Sequence, residues 1–225
     1  MLFKKIMILA ALLATATTIS VPRLALADAQ AAWEYVGTTD GVKVWRRSVA
    51  GTALLQFRGE TTVPVHIGKV LSVFLDRNQR KFWVDRYDDS KMLEQPNPMS
   101  ETYWIKFKLP FPISNRDYVL RADAVVNTAN HTLKASIKSV RDARKPDDDC
   151  CVRAHLQQTY YLFEAVKGKE QTKMTVEVQT DPKGMLPDWL INSIQKNWPS
   201  KTLSALANRA SKLDKPREEF TNWHE

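Results

Sequence analysis

The chain has 225 residues, a formal net charge of +8 and two cysteines. This length fits one domain with a substantial core, and because Cys150 and Cys151 are adjacent, they exclude a framework of disulfides that staples distant segments together. Basic residues are interspersed with acidic ones, without the basic block or module typical of nucleic-acid binders, so we expect no nucleic-acid partner.

The first 27 residues have the layout of a secretory signal peptide. Two lysines precede the apolar run 6–14, and a small-x-small sequence ends at Ala27. The apolar run is well short of the roughly 20 residues that span a bilayer. We therefore predict cleavage after Ala27 and export of residues 28–225, as a single domain, to the periplasm or the medium.

Cleavage would lower the net charge, because residues 1–27 contain three basic residues and no acid. The remaining charge is 8 − 3 = +5, which fits weak attraction to anionic membrane surfaces. In an oxidising compartment the adjacent cysteines could form a vicinal disulfide, remain thiols or bridge two molecules, and the sequence does not choose between these states.

Short strands are predicted over residues 33–60, where "GVKVWRR" and "ALLQFRGE" alternate apolar and polar positions. An amphipathic helix is predicted from about 64 to 76, with Pro64 in its first turn and a short turn leading to Trp83. It depends on apolar residues at helical spacing, namely Val63, Ile67, Val70, Leu71 and Phe74.

The middle of the chain returns to strands. In "ETYWIKFKLPF", Tyr103, Ile105 and Phe107 share one face, and in "RDYVLRADAVV" Tyr118 and Leu120 do. Residues 131–140, residues 152–166 and "TKMTVEVQT" are three more predicted strands before a closing helix. Strands, a helix, many strands and a final helix predict an α+β fold with one long antiparallel sheet.

The closing helix, in "DPKGMLPDWLINSIQKNWPSKTLSALANR", is apolar around roughly half its circumference, whereas a helix resting on a sheet needs a stripe only somewhat wider than about 100°. Periodicity alone favours a well-buried core helix. Pro199 lies inside the pattern and predicts a bend. The apolar arc contains Leu186, Leu190, Ile191, Ile194, Trp198, Thr202 and Leu206.

Three blocks of the chain resemble the START family of lipid-transfer domains. They are "NRDYVLRADA" at 115–124, "DPKGMLPDWLINS" at 181–193, and the single Trp83 after the first long helix, in the family's order and spacing. The resemblance covers about residues 33–210. It implies the helix-grip fold, in which a strongly curved antiparallel sheet wraps around the C-terminal helix and leaves a deep apolar tunnel.

On this resemblance, the broad apolar arc is explained because part of the helix packs on the sheet and part lines the tunnel. Asp181 to Pro187 would be a hinge-like entry to the helix, with Gly184 permitting its turn. The ligand would be a lipid or another apolar molecule, bound without a cofactor or a metal. Strand parity and the helix arc predict the tunnel-facing residues, each of which could instead be an ordinary core residue: Tyr103, Ile105, Phe107, Tyr118, Leu120, Ile191, Ile194, Trp198, Thr202 and Leu206.

Two features depart from or qualify the resemblance. Several sterol-binding members carry an acid–arginine pair in the tunnel, and the matching positions here are Tyr103 and Ala122. This predicts a more apolar tunnel with Tyr103 as a single hydrogen-bonding partner. Arg116 and Asp117 match the family motif, and we expect structural roles for them, pairing with each other or capping a loop.

The sequence is compatible with two other functions. One is a helix-grip enzyme of the aromatase/cyclase type that acts on an apolar substrate, but no metal-binding spacing or nucleophile elbow is present. The other is an interaction protein, such as a ligand-gated regulator. We expect a monomeric lipid carrier and not an enzyme.

Overall fold

The computed structural model describes residues 31–186 and 188–223. The predicted signal peptide, residues 1–27, lies outside the described residues. Within them, ten strands form one sheet around a long C-terminal helix, which confirms the predicted α+β class. The strands are β1 Glu34–Thr39, β2 Val42–Ser48, β3 Leu55–Val63, β4 Tyr87–Asn97, β5 Ser100–Phe107, β6 Arg116–Asn127, β7 Thr132–Ser139, β8 Val152–Arg153, β9 His155–Ala165 and β10 Thr172–Asp181.

The sheet has the strand order β1-β2-β3-β10-β9-β7-β6-β5-β4, with antiparallel neighbours, while the short β8 pairs in parallel with β6. The last strand, β10, pairs with both β3 and β9. It therefore joins the N-terminal strands β1 to β3 to the rest of the sheet. In the register of β5 with β6, Tyr103 lies opposite Leu120, and in that of β6 with β7, Ala122 lies opposite Ile137.

Among the described residues, three α-helices accompany the sheet: α1 Ile67–Leu75, α2 Arg80–Trp83 and α3 Asp188–Ser211. The helix α3 packs on α1, α2 and the strands β2, β3 and β10. Gly59 in β3 allows this close approach, because a Cβ placed there would lie 2.7 Å from the Cβ of Pro199. The core between these elements is aliphatic and aromatic, with Phe163, Met174 and Leu203 fully buried.

The observed bounds correct the sequence prediction in three places. The first helix begins at Ile67 and not at Pro64, because His66 is its N-cap and accepts a hydrogen bond from the Gly68 N–H. A short 3₁₀ turn and α2 replace the simple turn predicted before Trp83. The strand β4 was not predicted, because its sequence "YDDSKMLEQPN" is mostly exposed and has no alternating apolar face.

The adjacent cysteines form a disulfide with each other, so the structure selects one of the three states that the sequence left open. The single strand predicted over residues 152–166 is divided at Ala154 into β8 and β9, and the charged segment 141–149 before it is a loop. Among the described residues, no helix is both long enough and apolar enough to cross a membrane.

Candidate functional site

A cavity of about 210 Å³ lies between the sheet and the helices. It is lined by side chains of β5, β6, β7, β9 and β10, by α2, and by the N-terminal half of α3. Its volume is below the roughly 300–1,000 Å³ typical of drug-sized ligand sites.

Strand parity decides which residues line this cavity. On β5 the lining includes Glu101, Tyr103, Ile105 and Phe107, which alternate along the strand. Eight of the ten predicted tunnel residues line the cavity, while direct ligand contact by them stays a prediction. These eight are Tyr103, Ile105, Phe107, Tyr118, Leu120, Ile191, Ile194 and Trp198.

The tunnel-facing prediction was wrong for Thr202 and Leu206. Both are fully buried, but neither lines the cavity. The helix α3 also packs on α1 and on the strands β2 and β3, and in its C-terminal half Ser204 donates a hydrogen bond to the Asp40 carbonyl at 3.4 Å. Helical periodicity identifies the apolar face, but not how far along that face the cavity extends.

A buried ion pair between Arg80 and Glu101 lies in the cavity wall. The Arg80 guanidinium carbon is 3.9 Å from the centroid of the Tyr103 ring, which adds a cation–π contact. The prediction of a tunnel without a charged pair was therefore wrong. Arg80 belongs to α2, and Glu101 lies at the start of β5. In the sheet register, Glu101 is opposite Ala122 of the neighbouring strand β6.

The signal for Glu101 was present in the sequence, because it shares the strand parity of Tyr103, Ile105 and Phe107. No comparable signal identified Arg80. Its place on the cavity depends on where α2 packs, and α2 was predicted as a turn.

Aromatic side chains surround the same region. Tyr161 packs edge-on against Trp83 at 6.2 Å and against Trp198 at 6.5 Å between ring centroids. Burial raises the pKa of the Tyr161 and Tyr103 phenols, with the nearby Arg80 charge acting in the opposite direction. The Trp83 indole N–H is buried and has no hydrogen-bond partner in the described structure. This part of the cavity is therefore aromatic but also carries polar groups.

Tyr118 places a second hydroxyl at the cavity wall. Its oxygen lies 3.1 Å from Thr180 Oγ1, and Thr180 donates to the His155 carbonyl at 3.3 Å. Because the Thr180 hydrogen is used in that bond, Tyr118 donates to Thr180. Burial raises the pKa of Tyr118 to about 12.

Arg116 and Asp117 have the structural roles predicted, but they do not pair with each other. The Arg116 guanidinium donates to the backbone carbonyls of Ser114, Pro182 and Lys183, at 2.5, 2.9 and 3.0 Å. Arg116 also lines the cavity, and desolvation lowers its pKa.

Asp117 is 2% exposed and lies outside the cavity lining. It accepts a hydrogen bond from Trp104 Nε1 at 2.7 Å and two from Arg153, at 3.0 and 2.9 Å. Its role is to hold the loop before β9 against the sheet. Gly184 has the positive φ of 70° that its turn was predicted to need.

The three histidines that the structure describes do not line the cavity. His66 caps α1, His131 stacks on Trp223 with ring centroids 5.6 Å apart, and His155 lies at the start of β9. Within the described ranges, no group of three or more His, Cys, Asp or Glu residues could hold a metal ion.

Comparison with known proteins gives one family. The model for the START domain matches residues 25–215. The human phosphatidylcholine transfer protein is 28% identical over 181 residues, which cover 78% of this chain and 80% of the relative.

Solved structures share the fold, which confirms the helix-grip architecture. Human STARD10 matches with a TM-score of 0.72 and 23% identity, over 80% of this chain and 73% of that one. A more distant neighbour is an enzyme, the Zhui aromatase/cyclase from a Streptomyces species, with a TM-score of 0.50 and 10% identity over 70% and 93% of the two chains.

Proposed function

Because the chain belongs to the START domain family, we propose that it binds one hydrophobic molecule in the cavity and transfers it between membranes. The ligand class is a sterol-like molecule, a phospholipid or an acyl lipid. The observation that carries the proposal is the cavity itself, whose lining combines aliphatic and aromatic side chains with the ion pair of Arg80 and Glu101. The human phosphatidylcholine transfer protein, with which the chain aligns over most of its length, supports the same function.

The driving force is the removal of the ligand's apolar surface from water, at about 25 cal/mol per Å². The ion pair and Tyr103 decide where the polar part of the ligand lies. A buried polar group needs a hydrogen-bond partner, and Arg80, Glu101 and Tyr103 offer donors and acceptors in one region of the cavity wall. We therefore place the polar group of the ligand there and its hydrocarbon along Ile105, Leu120 and Ile194.

We propose that the protein acts after export, as a monomer that contacts membranes transiently. The N-terminal sequence pattern supports export, and the Cys150–Cys151 disulfide fits an oxidising compartment. The mild positive charge of residues 28–225 supports contact with anionic surfaces.

We also propose that the protein is a carrier and not an enzyme. The sequence-similar human relative is named for transfer, whereas the enzyme neighbour is related only by fold. A carrier releases its ligand chemically unchanged, and an enzyme does not, so the two functions give different products.

The test is native mass spectrometry of the full chain expressed in an exporting bacterial host, followed by extraction and identification of bound molecules. The intact mass also reports whether the N-terminus begins at Asp28. A single apolar molecule bound one to one, recovered unchanged after incubation, supports the carrier. If the protein is empty after exposure to a mixed lipid extract, or the molecule is recovered chemically converted, the proposal fails.

A further inference from the structure

Two N–H donors of cavity-lining residues are buried without a hydrogen-bond partner among the described residues. They are Nε1 of Trp83 and Nε of Arg86. Trp83 is 5% exposed, and a buried indole N–H usually has a partner, because an unpaired buried donor costs free energy. Both residues belong to the segment 83–86, which ends α2 and leads into β4, and which we call the donor segment. Two unpaired donors in one short segment of the cavity wall indicate that an acceptor from outside the protein belongs there.

The backbone holds the donor segment in an uncommon conformation. Arg86 has a positive φ of 61°, which residues other than glycine rarely adopt. Its carbonyl accepts a hydrogen bond from the Lys108 N–H at 2.9 Å, and the Val84 carbonyl accepts one from the Tyr87 N–H at 3.2 Å. Residues held in such conformations by their surroundings are concentrated at ligand-binding and active sites. The two donors are therefore fixed in place by the fold and not by a side-chain partner.

Arg86 differs from the other arginines of the cavity lining. Arg77, Arg80 and Arg116 each donate hydrogen bonds to protein groups, whereas the buried Nε–H of Arg86 does not. The residues that line the cavity include four arginines and three acidic residues, so their net charge is 4 − 3 = +1. The lining therefore has an excess of positive charge, and Arg86 carries an unused donor.

The neighbouring carboxylate of Asp85 does not cancel this excess. It lies 3.7 Å from Arg86 Nε and 4.0 Å from Lys201 Nζ on α3, and both distances exceed hydrogen-bond length. One carboxylate is thus shared between two cations, and the three side chains sum to 2 − 1 = +1. An anionic oxygen group is the acceptor that this arrangement matches, because it satisfies the unpaired donors and balances the charge.

We propose that the donor segment binds the acidic group of the ligand. The ligand is then an amphiphile with a carboxylate or a phosphate, and not an uncharged sterol-like molecule. Trp83 Nε1 and the Arg86 guanidinium donate to its oxygens, and hydrogen bonds to a charged acceptor are roughly twice as strong as those between neutral groups. The ion pair of Arg80 and Glu101 lies beside an uncharged polar part of the same molecule. The proposal rests on the proposed function and names its ligand class.

The experiment is titration of the full chain, stripped of bound lipid, with three probes: oleate, its uncharged methyl ester, and dioctanoyl phosphatidylglycerol. The variants are Trp83→Phe, which removes the indole N–H but keeps an aromatic ring, and Arg86→Gln. Trp45→Phe and Arg141→Gln are the matched controls. Trp45 packs on Tyr35 and Arg141 is exposed, and neither lines the cavity.

We expect the wild type to bind oleate about tenfold or more tightly than methyl oleate, since a hydrogen bond to a charged group contributes this much. Trp83→Phe and Arg86→Gln should each bind the two anionic probes about tenfold more weakly and methyl oleate nearly as the wild type does. The two controls should bind all probes as the wild type does. The tighter of oleate and phosphatidylglycerol decides between a carboxylate and a phosphate.

The indole N–H of Trp83 gives a second measurement that does not depend on affinity. In nuclear magnetic resonance spectra of protein labelled with ¹⁵N at its indoles, Trp83→Phe identifies the Trp83 signal. We expect this signal to move further downfield with oleate than with methyl oleate.

Equal binding of oleate and methyl oleate by the wild type, together with unchanged affinity in both variants, overturns the donor segment as an anion site and leaves the carrier function standing. An equal loss in Arg141→Gln also overturns it, because the total charge and not the segment would then determine binding. If the wild type binds none of the three probes, the carrier function fails as well.

Discussion

The guanidinium of Arg80 lies against the ring of Tyr103, with 3.9 Å between the guanidinium carbon and the ring centroid. The same guanidinium pairs with Glu101. Both ionic side chains are mostly buried, at 11% and 16% exposure. The charge of this pair is therefore balanced within the protein, so a neutral or zwitterionic ligand can lie beside it without bringing a counter-charge.

The first prediction concerns this ion pair. Glu101→Gln keeps the shape of the side chain but leaves Arg80 without its carboxylate in a largely buried place, and breaking such a pair costs about 3–5 kcal/mol. We expect the free energy of unfolding to fall by an amount at the lower end of that range, measured by urea denaturation of protein stripped of ligand.

Glu94→Gln is the matched control, because Glu94 pairs with Arg144 at 2.8 Å while both side chains are nearly half exposed. An exposed pair is worth at most about 1 kcal/mol. The double mutant Arg80→Met with Glu101→Gln should recover most of the loss, since it removes the unpaired charge. Equal effects of Glu101→Gln and Glu94→Gln would contradict a buried role for the pair.

The sequence predicted most of this site because strand alternation is a local property. Tyr103, Ile105 and Phe107 line the cavity since every second residue of β5 faces the same side. The same rule applied to Glu101 would have found one half of the ion pair. The other half, Arg80, depends on how a four-residue helix packs on the sheet, and local pattern does not determine packing.

Two further differences have the same physical origin. Thr202 and Leu206 share the apolar arc of Ile194 and Trp198, yet only the latter two line the cavity, because the cavity ends partway along α3. The strand β4 forms through pairing with β5, although its own side chains are mostly exposed and show no apolar alternation. An exposed edge strand is held by backbone hydrogen bonds to its neighbour, and these bonds do not require an apolar pattern in its sequence.

The second prediction tests the placement of α3. Trp198 lines the cavity and packs against Tyr161, so Trp198→Arg would place a charge in the apolar wall, and we expect ligand binding to be lost while the sheet stays folded. Asn197→Arg adds the same charge at an exposed neighbouring position of the helix and should bind normally. Ligand content by native mass spectrometry and far-UV circular dichroism measure the two effects. Normal lipid content in Trp198→Arg would show that the cavity is not the binding site.

The third prediction concerns the loop held by Asp117. Asp117→Asn removes the carboxylate that accepts two hydrogen bonds from Arg153 and one from Trp104. The site is buried, so we expect a loss of about 3 kcal/mol in the free energy of unfolding. Asp147→Asn is a direct control, because Asp147 pairs with the same arginine at 2.8 Å but its side chain is 80% exposed. Asp147→Asn should change the free energy of unfolding by less than about 1 kcal/mol. A similar loss in Asp117→Asn and Asp147→Asn would show that pairing with Arg153, and not burial of the carboxylate, determines the loss of stability.

The fourth prediction is a dependence of stability on alkaline pH. Burial raises the pKa of Tyr118 to about 12 in the folded protein, whereas an unfolded tyrosine titrates near pH 10. Between these values the folded state binds more protons than the unfolded state, so the free energy of unfolding falls as pH rises. One unit of pKa corresponds to about 1.4 kcal/mol, which makes the full effect on the order of 3 kcal/mol.

Tyr118→Phe removes the titrating hydroxyl, so the free energy of unfolding of this variant should fall less as pH rises above 10. At pH 8 the variant is expected to be less stable than the wild type by about 1 kcal/mol, because the hydrogen bond to Thr180 is lost. Above pH 10 that difference should shrink and then reverse, as the wild type alone has to keep a buried phenol protonated. Tyr35→Phe serves as the control, since Tyr35 is 55% exposed and its hydroxyl lies 2.6 Å from that of Thr38. Urea denaturation at intervals from pH 8 to about 11.5 measures the three proteins, and a Tyr118→Phe curve that stays parallel to the wild type above pH 10 would show that this phenol is not held protonated by burial.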